Sequence, residues 1–180
     1  MKRHRDEIYI SVDIEASGPI PGEYSMLSLG ACEVGNSDKN FYAEIQPISE
    51  SFVKEALDVC GLSLEKLMKT GITPHDAMRK FADWINRIAG ESKPVFVGYN
   101  AAFDWSFVNY YFIRFTGDNP FGVSALDIKS VWLGITRSSW LGTTKNKIKR
   151  HLDIKIEHTH NALDDAKEQA KILEKALESD

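Results

Sequence analysis

Apolar and polar residues alternate through Ile8-Tyr9-Ile10-Ser11-Val12-Asp13-Ile14-Glu15. A period of two marks a strand, with Ile8, Ile10, Val12 and Ile14 on one face and Tyr9, Ser11, Asp13 and Glu15 on the other. Gly18-Pro19-Ile20-Pro21-Gly22 then breaks the chain into a loop, and a second apolar run covers Met26 to Val34. After the turn-forming Gly35-Asn36-Ser37-Asp38, Phe41 to Ile45 reads as a third strand. Three strands joined by short polar connections predict an antiparallel meander.

From Ser51 the period lengthens. Ser63 to Lys69 reads as a short helix ended by Gly71, and Thr73-Pro74 pairs a capping residue with proline at the first helical position. The helix it opens is expected to run to Gly90, with Ala77, Phe81, Trp84, Ile85 and Ile88 forming one buried stripe. Pro94 to Val97 is a short apolar strand. Strands alternating with helices point to parallel pairing in this half, and so to an α/β fold. Gly98 ends that strand, and a helix follows that carries Asp104 near its start and Phe103, Phe107, Tyr110, Tyr111 and Phe115 along it. Ala125 to Ile128 is a strand or a helix entry with Asp127 as a cap, and Thr143-Thr144 is expected to cap a helix bearing Lys145, Lys147, Lys149 and Arg150. A last helix, entered through His158-Thr159-His160-Asn161, has Leu163, Ala166, Ala170, Leu173 and Leu177 as its apolar stripe.

The chain of 180 residues, 43% hydrophobic and 27% charged, is long enough for one cored domain and short for two, so 1–180 is taken as a single domain. A formal charge of −4 excludes a protein that coats polyanions through its overall field; any nucleic-acid contact must be local. Cys32 and Cys60 form no ligand-like spacing and read as buried small residues. No run reaches membrane-spanning length, and Met1-Lys2-Arg3-His4-Arg5 is followed by Asp6-Glu7 where a signal peptide needs an apolar core, which implies a cytoplasmic setting.

Chemistry concentrates at four places. Asp13 and Glu15 share a strand face about 6.6 Å apart at the backbone; either that face is simply solvated or a hard divalent cation relieves the repulsion of the pair. Asp104 suits a helix start through the dipole, as Asp164 and Asp165 do in the last helix. His160 lies at a loop-to-helix junction with a carboxylate five residues on, a context that His4, His75 and His151 lack. The basic run at Lys145, Lys147, Lys149 and Arg150 fits either a solvated face or phosphate contact.

Taken together, Asp13-Ile14-Glu15-Ala16-Ser17-Gly18, Asn100-Ala101-Ala102-Phe103-Asp104 and His160-Asn161-Ala162-Leu163-Asp164-Asp165 resemble, in order, the three motifs of the DEDDh 3′-to-5′ exonucleases. That family includes polymerase proofreading subunits, ribonuclease T and oligoribonuclease. The similarity spans about residues 8 to 177, and the family's spacing selects Asp165 over Asp164 and His160 over His158. The resemblance implies a ribonuclease H-like mixed five-stranded sheet flanked by helices, and hydrolysis of nucleotides from the 3′ end of single-stranded DNA or RNA.

It further implies two divalent ions, Mg2+ or Mn2+, held by Asp13, Glu15, Asp104 and Asp165. Such a pair clamps the attacking and leaving oxygens of a phosphodiester. His160 would be the general base, because histidine exchanges a proton near neutrality. Ala16, Asn100, Phe103, Lys145 and Lys147 are the expected substrate contacts, with Phe103 fitting either core packing or stacking on a terminal base. Ala16 and Tyr99 depart from the threonine and histidine common in the family, beside the terminal-nucleotide pocket. The resemblance also admits a homodimer and a polymerase or repair partner. Two other readings share the fold: an end-binding module with little turnover, and a hydrolase restricted to short oligonucleotides.

Overall fold

The computed structural model describes residues 6–156 and 159–178; His4 and His158 lie outside the described residues. Three strands open the chain, β1 (Glu7–Ala16), β2 (Met26–Glu33) and β3 (Asn36–Glu44), followed by helices α1 (Lys54–Cys60), α2 (Leu64–Thr70) and α3 (Pro74–Ala89). Strand β4 (Lys93–Gly98), helix α4 (Ala101–Phe115), strand β5 (Ala125–Asp127) and helices α5 (Ile128–Thr136), α6 (Lys145–His151) and α7 (Ala162–Glu178) complete it, with a 3-10 turn at Trp140–Thr143 before α6.

The sheet has the order β3-β2-β1-β4-β5. The first three strands pair antiparallel as the meander requires, and β4 and β5 add in parallel beside β1. Each sheet face carries its own core. On one, Ile10, Val12 and Ile14 meet Phe81, Trp84 and Phe107 from α3 and α4; on the other, Cys32 and Val97 meet Trp132, Ile148 and Leu173 from α5, α6 and α7. Helices on both faces explain why every residue of β2 is buried and why the polar Ser11 is buried too.

Local chemistry sets most boundaries. Ser63 and Thr73 cap α2 and α3 by accepting from the backbone N–H groups of Lys66 and Asp76, and Pro74 opens α3. Asp127 caps α5, accepting from Ser130 N–H at 2.8 Å, and also accepts from Ala101 N–H at 3.0 Å, which brackets the starts of two helices.

Five details differ from the sequence expectation. The turn expected over 35–38 contracts to Val34-Gly35, with Gly35 at φ 81 and β3 starting at Asn36. Helix α1 was not expected, because it buries none of its residues and Val53 offers no side-chain cap, so it carries neither periodicity nor a start. Cys60, within it, is half-buried, though both cysteines are free thiols. Thr144 holds the cap position of α6 without a side-chain bond, and Thr143 Oγ1 donates instead to Trp140 O. In α7 the buried face is Ala162, Ala166, Ala170, Leu173 and Ala176, with Leu163 and Leu177 only half-buried.

The rotation of α7 has a physical cause at Gly30. This glycine pairs with Asp13 across β1 and β2, and a Cβ there would stand 2.2 Å from both Ala162 C and Leu163 N. The first turn of α7 therefore rests on bare backbone directly beside Asp13. No helix of the described residues is long and apolar enough to cross a membrane.

Gly30→Ala is expected to push α7 off the sheet. Overpacking of this kind costs about 1–3 kcal/mol or more, which for a chain of this size lowers Tm by roughly 3–10 °C. Thermal melting measures it, and a Tm equal to that of the parent shows that α7 does not depend on the close approach.

Candidate active site

The ladder between β1 and β4 ends at Ser11 and Val97, while β1 runs on to Ala16. Past that point one edge of β1 is open, and this is where the acids gather. Asp13 and Glu15 project from the open stretch toward the α7 face. The pairing with β2 is irregular between Glu15 and Ala16, and Ala16, on the same strand face as Val12 and Ile14, packs into the core with the α3–α4 side.

Asn100 adopts the left-handed conformation, φ 60, and aims α4 back across the end of β1. Asp104 in the first turn of α4 is buried, and its Oδ1 accepts from Ile14 N–H at 3.1 Å, taking a donor that the β4 ladder no longer reaches. From the other side, Asn161 accepts from the N–H groups of Leu163 and Asp164 and starts α7. Asp165, one residue further, is buried and points inward; Asp164 is exposed and accepts from Thr159 Oγ1 at 3.2 Å.

These residues line one cleft of about 510 Å3: Asp13, Glu15, Asp104, His160 and Asp165 together, with Asn100, Phe103 and Lys145 on its walls. One oxygen each from Glu15 and Asp165 and a ring nitrogen of His160 lie within 4.8 Å of one another. His160 is exposed at φ 53, at the mouth of the group.

Two expected contacts lie elsewhere. Ala16 does not line the cleft, because the strand's alternation puts it on the core face with Val12 and Ile14, opposite Asp13 and Glu15. Lys147 points along the outside of α6, where its Nζ donates to Leu141 O at 2.9 Å. Lys149, not singled out as a contact, lines the cleft in its place. Lys145 and Lys149 both pair with the buried Glu168, Lys145 at 3.2 Å, so this basic helix is pinned to α7 and is more than a solvated face.

Sequence reasoning also missed Gln169. Its amide Nε2 donates to Asp13 Oδ1, and its Oε1 accepts from Tyr99 N–H at 2.9 Å, so one side chain ties α7, β1 and the end of β4. The pointer to it was present: it follows Asp165 by four residues, one turn along the same helix face.

The crowding is visible in the acids. Burial pushes Glu15 up from 4.5 to about 7, and the Asp165 and Asp104 carboxylates push the same way against Lys145. Burial likewise lifts Asp104 to about 7, although N–H donors from Ile14 and its own backbone and the Lys145 ammonium oppose it. Asp13 is raised well above its ordinary range by burial and then by Asp104, Asp165 and Glu15. An all-carboxylate set under this repulsion fits a hard divalent cation, which takes oxygen ligands and favours the ionised form.

A family model described as the 3′-5′ exoribonuclease Rv2179c-like domain matches residues 8–177. The chain belongs to this family. It is a 3′-5′ exonuclease with the ribonuclease H-like fold. A curated relative, the 3′-5′ DNA exonuclease Cap18 of Escherichia coli, is 51% identical over 93% of this chain and 90% of its own.

Among solved structures, the nuclease domain of 3′hExo, a DEDDh family member bound to rAMP, superposes with a TM-score of 0.79 at 14% identity, covering 99% of this chain and 94% of that one. E. coli exonuclease I in complex with a dT13 oligonucleotide has a TM-score of 0.71 at 15% identity, covering 93% of this chain and 40% of that one.

The raised acids set a pH dependence. Between about 4.5, where free Glu ionises, and about 7, the metal-free folded exonuclease retains protons that the unfolded chain has released, so its stability falls as pH rises through that window. It is expected to melt higher at about pH 5 than at about pH 8 without metal, and excess Mg2+ or Mn2+ should offset the loss at the higher pH. Asp104→Asn keeps an acceptor for Ile14 N–H and removes one charge. Melting curves in chelator should show it at least as stable as the parent, with a flatter pH slope; a lower Tm and an unchanged slope would refute the crowding.

Proposed function

We propose that residues 1–180 act as one exonuclease domain that removes nucleotides from the 3′ ends of single-stranded DNA, with two Mg2+ or Mn2+ ions held by Asp13, Glu15, Asp104 and Asp165. The observation that carries this reading is the convergence of four carboxylates and His160 on one open cleft. When bound, such ions supply charge neutralisation at the phosphodiester and an acidified water. Four carboxylates match the charge of two divalent ions.

The chain's own groups do the rest. Gln169 holds Asp13 in its orientation, and the Ile14 N–H holds Asp104. His160, beside Glu15 and Asp165 at the mouth, takes the proton from the attacking water. Lys145, on the cleft wall, faces the phosphate that the acids would otherwise repel. Phe103, 42% exposed on that wall, offers a ring to the terminal base, a contact open to an unpaired end. The 51% identity to a relative named a DNA exonuclease supports DNA over RNA. Two free thiols support a reducing, cytoplasmic setting.

Ladders of 3′- and 5′-labelled single strands, run as DNA and as RNA with Mg2+ or Mn2+, test the reading. Stepwise shortening of DNA from a free 3′ end is expected, abolished by chelator and by a blocked 3′ end. Action confined to dinucleotides would favour a hydrolase of short oligonucleotides instead. His160→Ala is expected to lower kcat by about 10²- to 10⁴-fold while the rise in Tm on adding Mn2+ persists; a kcat near that of the parent would remove His160 as the base.

A further inference from the structure

The stretch from Ile128 to Leu152 carries Lys129, Arg137, Lys145, Lys147, Lys149 and Arg150 and no Asp or Glu, in a chain of net charge −4. It folds as α5, the 3-10 turn and α6, and Lys145 and Lys149 bring it to the cleft as one wall. In the 3-10 turn just before that wall, Trp140 is 56% exposed and Leu141 75% exposed. Neither contributes to a core.

The turn that displays them is nevertheless fastened on every side. The Tyr99 hydroxyl donates to Thr143 O, Thr143 Oγ1 donates to Trp140 O at 2.7 Å, and Lys147 Nζ donates to Leu141 O at 2.9 Å. Lys129 completes the set: its Nζ stands 4.0 Å from the Trp140 ring centroid and donates to Asn100 Oδ1 at 2.9 Å. Tyr99 and Asn100 both line the cleft, so one lysine side chain spans the distance from the indole to the site. Two large apolar side chains displayed to water from a hydrogen-bonded turn, on the basic side of an acidic cleft, form a surface suited to a ligand that is flat, apolar and anionic at once.

We propose that Trp140, with Leu141 beside it, is a stacking platform for bases of the strand 5′ of the terminal nucleotide, with the Lys129 and Lys147 ammonium groups facing the phosphates between them. The ligand class is single-stranded nucleic acid of any sequence, because every base presents a π face to an aromatic ring. Lys129 covers part of the indole and steadies it, and more than half of the residue stays open. The proposal rests on the nuclease reading of the cleft and adds to it a dependence on strand length.

Binding separates the two. In the Asp165→Asn background with Mn2+ present, anisotropy of a labelled ten-residue oligothymidylate reads affinity without turnover. Trp140→Ala is expected to weaken that binding by about 5- to 100-fold, and Trp140→Phe, which keeps an aromatic face, to recover most of it. In the active protein, the preference in kcat/KM for the ten-residue strand over a dinucleotide should contract in Trp140→Ala by a similar factor. Affinity unchanged in Trp140→Ala, or lost equally in the Ala and Phe variants, overturns the platform even if the parent shortens strands normally. Failure of the parent to shorten any strand from its 3′ end overturns the nuclease reading instead, and the binding ratio still decides the platform.

Discussion

Everything at the site depends on the contact between the first turn of α7 and the backbone at Gly30. Because Gly30 stands opposite Asp13 in the β1–β2 register, the absence of a side chain there brings Asp165 to Asp13 and Glu15. A larger residue would hold the helix away and dissolve the cluster. Packing, not attraction between the acids, makes the site, since the acids repel one another and Asp13 and Glu15 are raised by burial and by that repulsion.

The fold carries this repulsion on two supports. One is the hydrogen-bonded frame: Ile14 N–H on Asp104 and the Gln169 amide on Asp13 donate to the carboxylates and so favour their charged form. The other is Lys145, whose positive charge draws Asp13, Glu15 and Asp104 back toward ionisation. Lys145 is itself held by Glu168, which Lys149 shares; although burial alone would raise Glu168, the two lysines bring it below its ordinary value. The charge pattern thus passes outward from the acidic centre through an ordered cation to a buried anion, and α6 and α7 are locked together by it. A strand approaching along α6 meets cations before it meets the acids.

Sequence and structure agree best where one local interaction suffices. Thr73-Pro74 and Asp127 mark helix starts that need no knowledge of the rest of the chain, and the alternation in β1 places Asp13 and Glu15 on one face. The motif spacing of the family that the sequence resembles picks out Asp165, the member of the Asp164–Asp165 pair that the structure buries in the cleft. Agreement fails where a residue's direction depends on a distant partner. Lys147 and Lys149 look alike in the sequence, but the contact between α6 and α7 sends Lys149 to Glu168 and leaves Lys147 on the 3-10 turn. Ala16 is a different case: it adjoins the acidic pair, but the strand's own alternation sets it on the core face with Val12 and Ile14.

By itself, then, the chain's pattern determined the α/β class and its antiparallel and parallel halves, because periods and caps are properties of neighbours, while the resemblance of its three motifs to a known family pointed to the acids and histidine that meet in the cleft. Only the tertiary structure decided that both sheet faces are covered, that Gln169 joins Asp13 to Tyr99, and that α7 turns Ala162 and not Leu163 toward the sheet. Those outcomes rest on contacts across long stretches of chain, 156 residues apart in the case of Gln169 and Asp13. A periodicity read within a window of a few turns carries no information about which distant backbone has room for it.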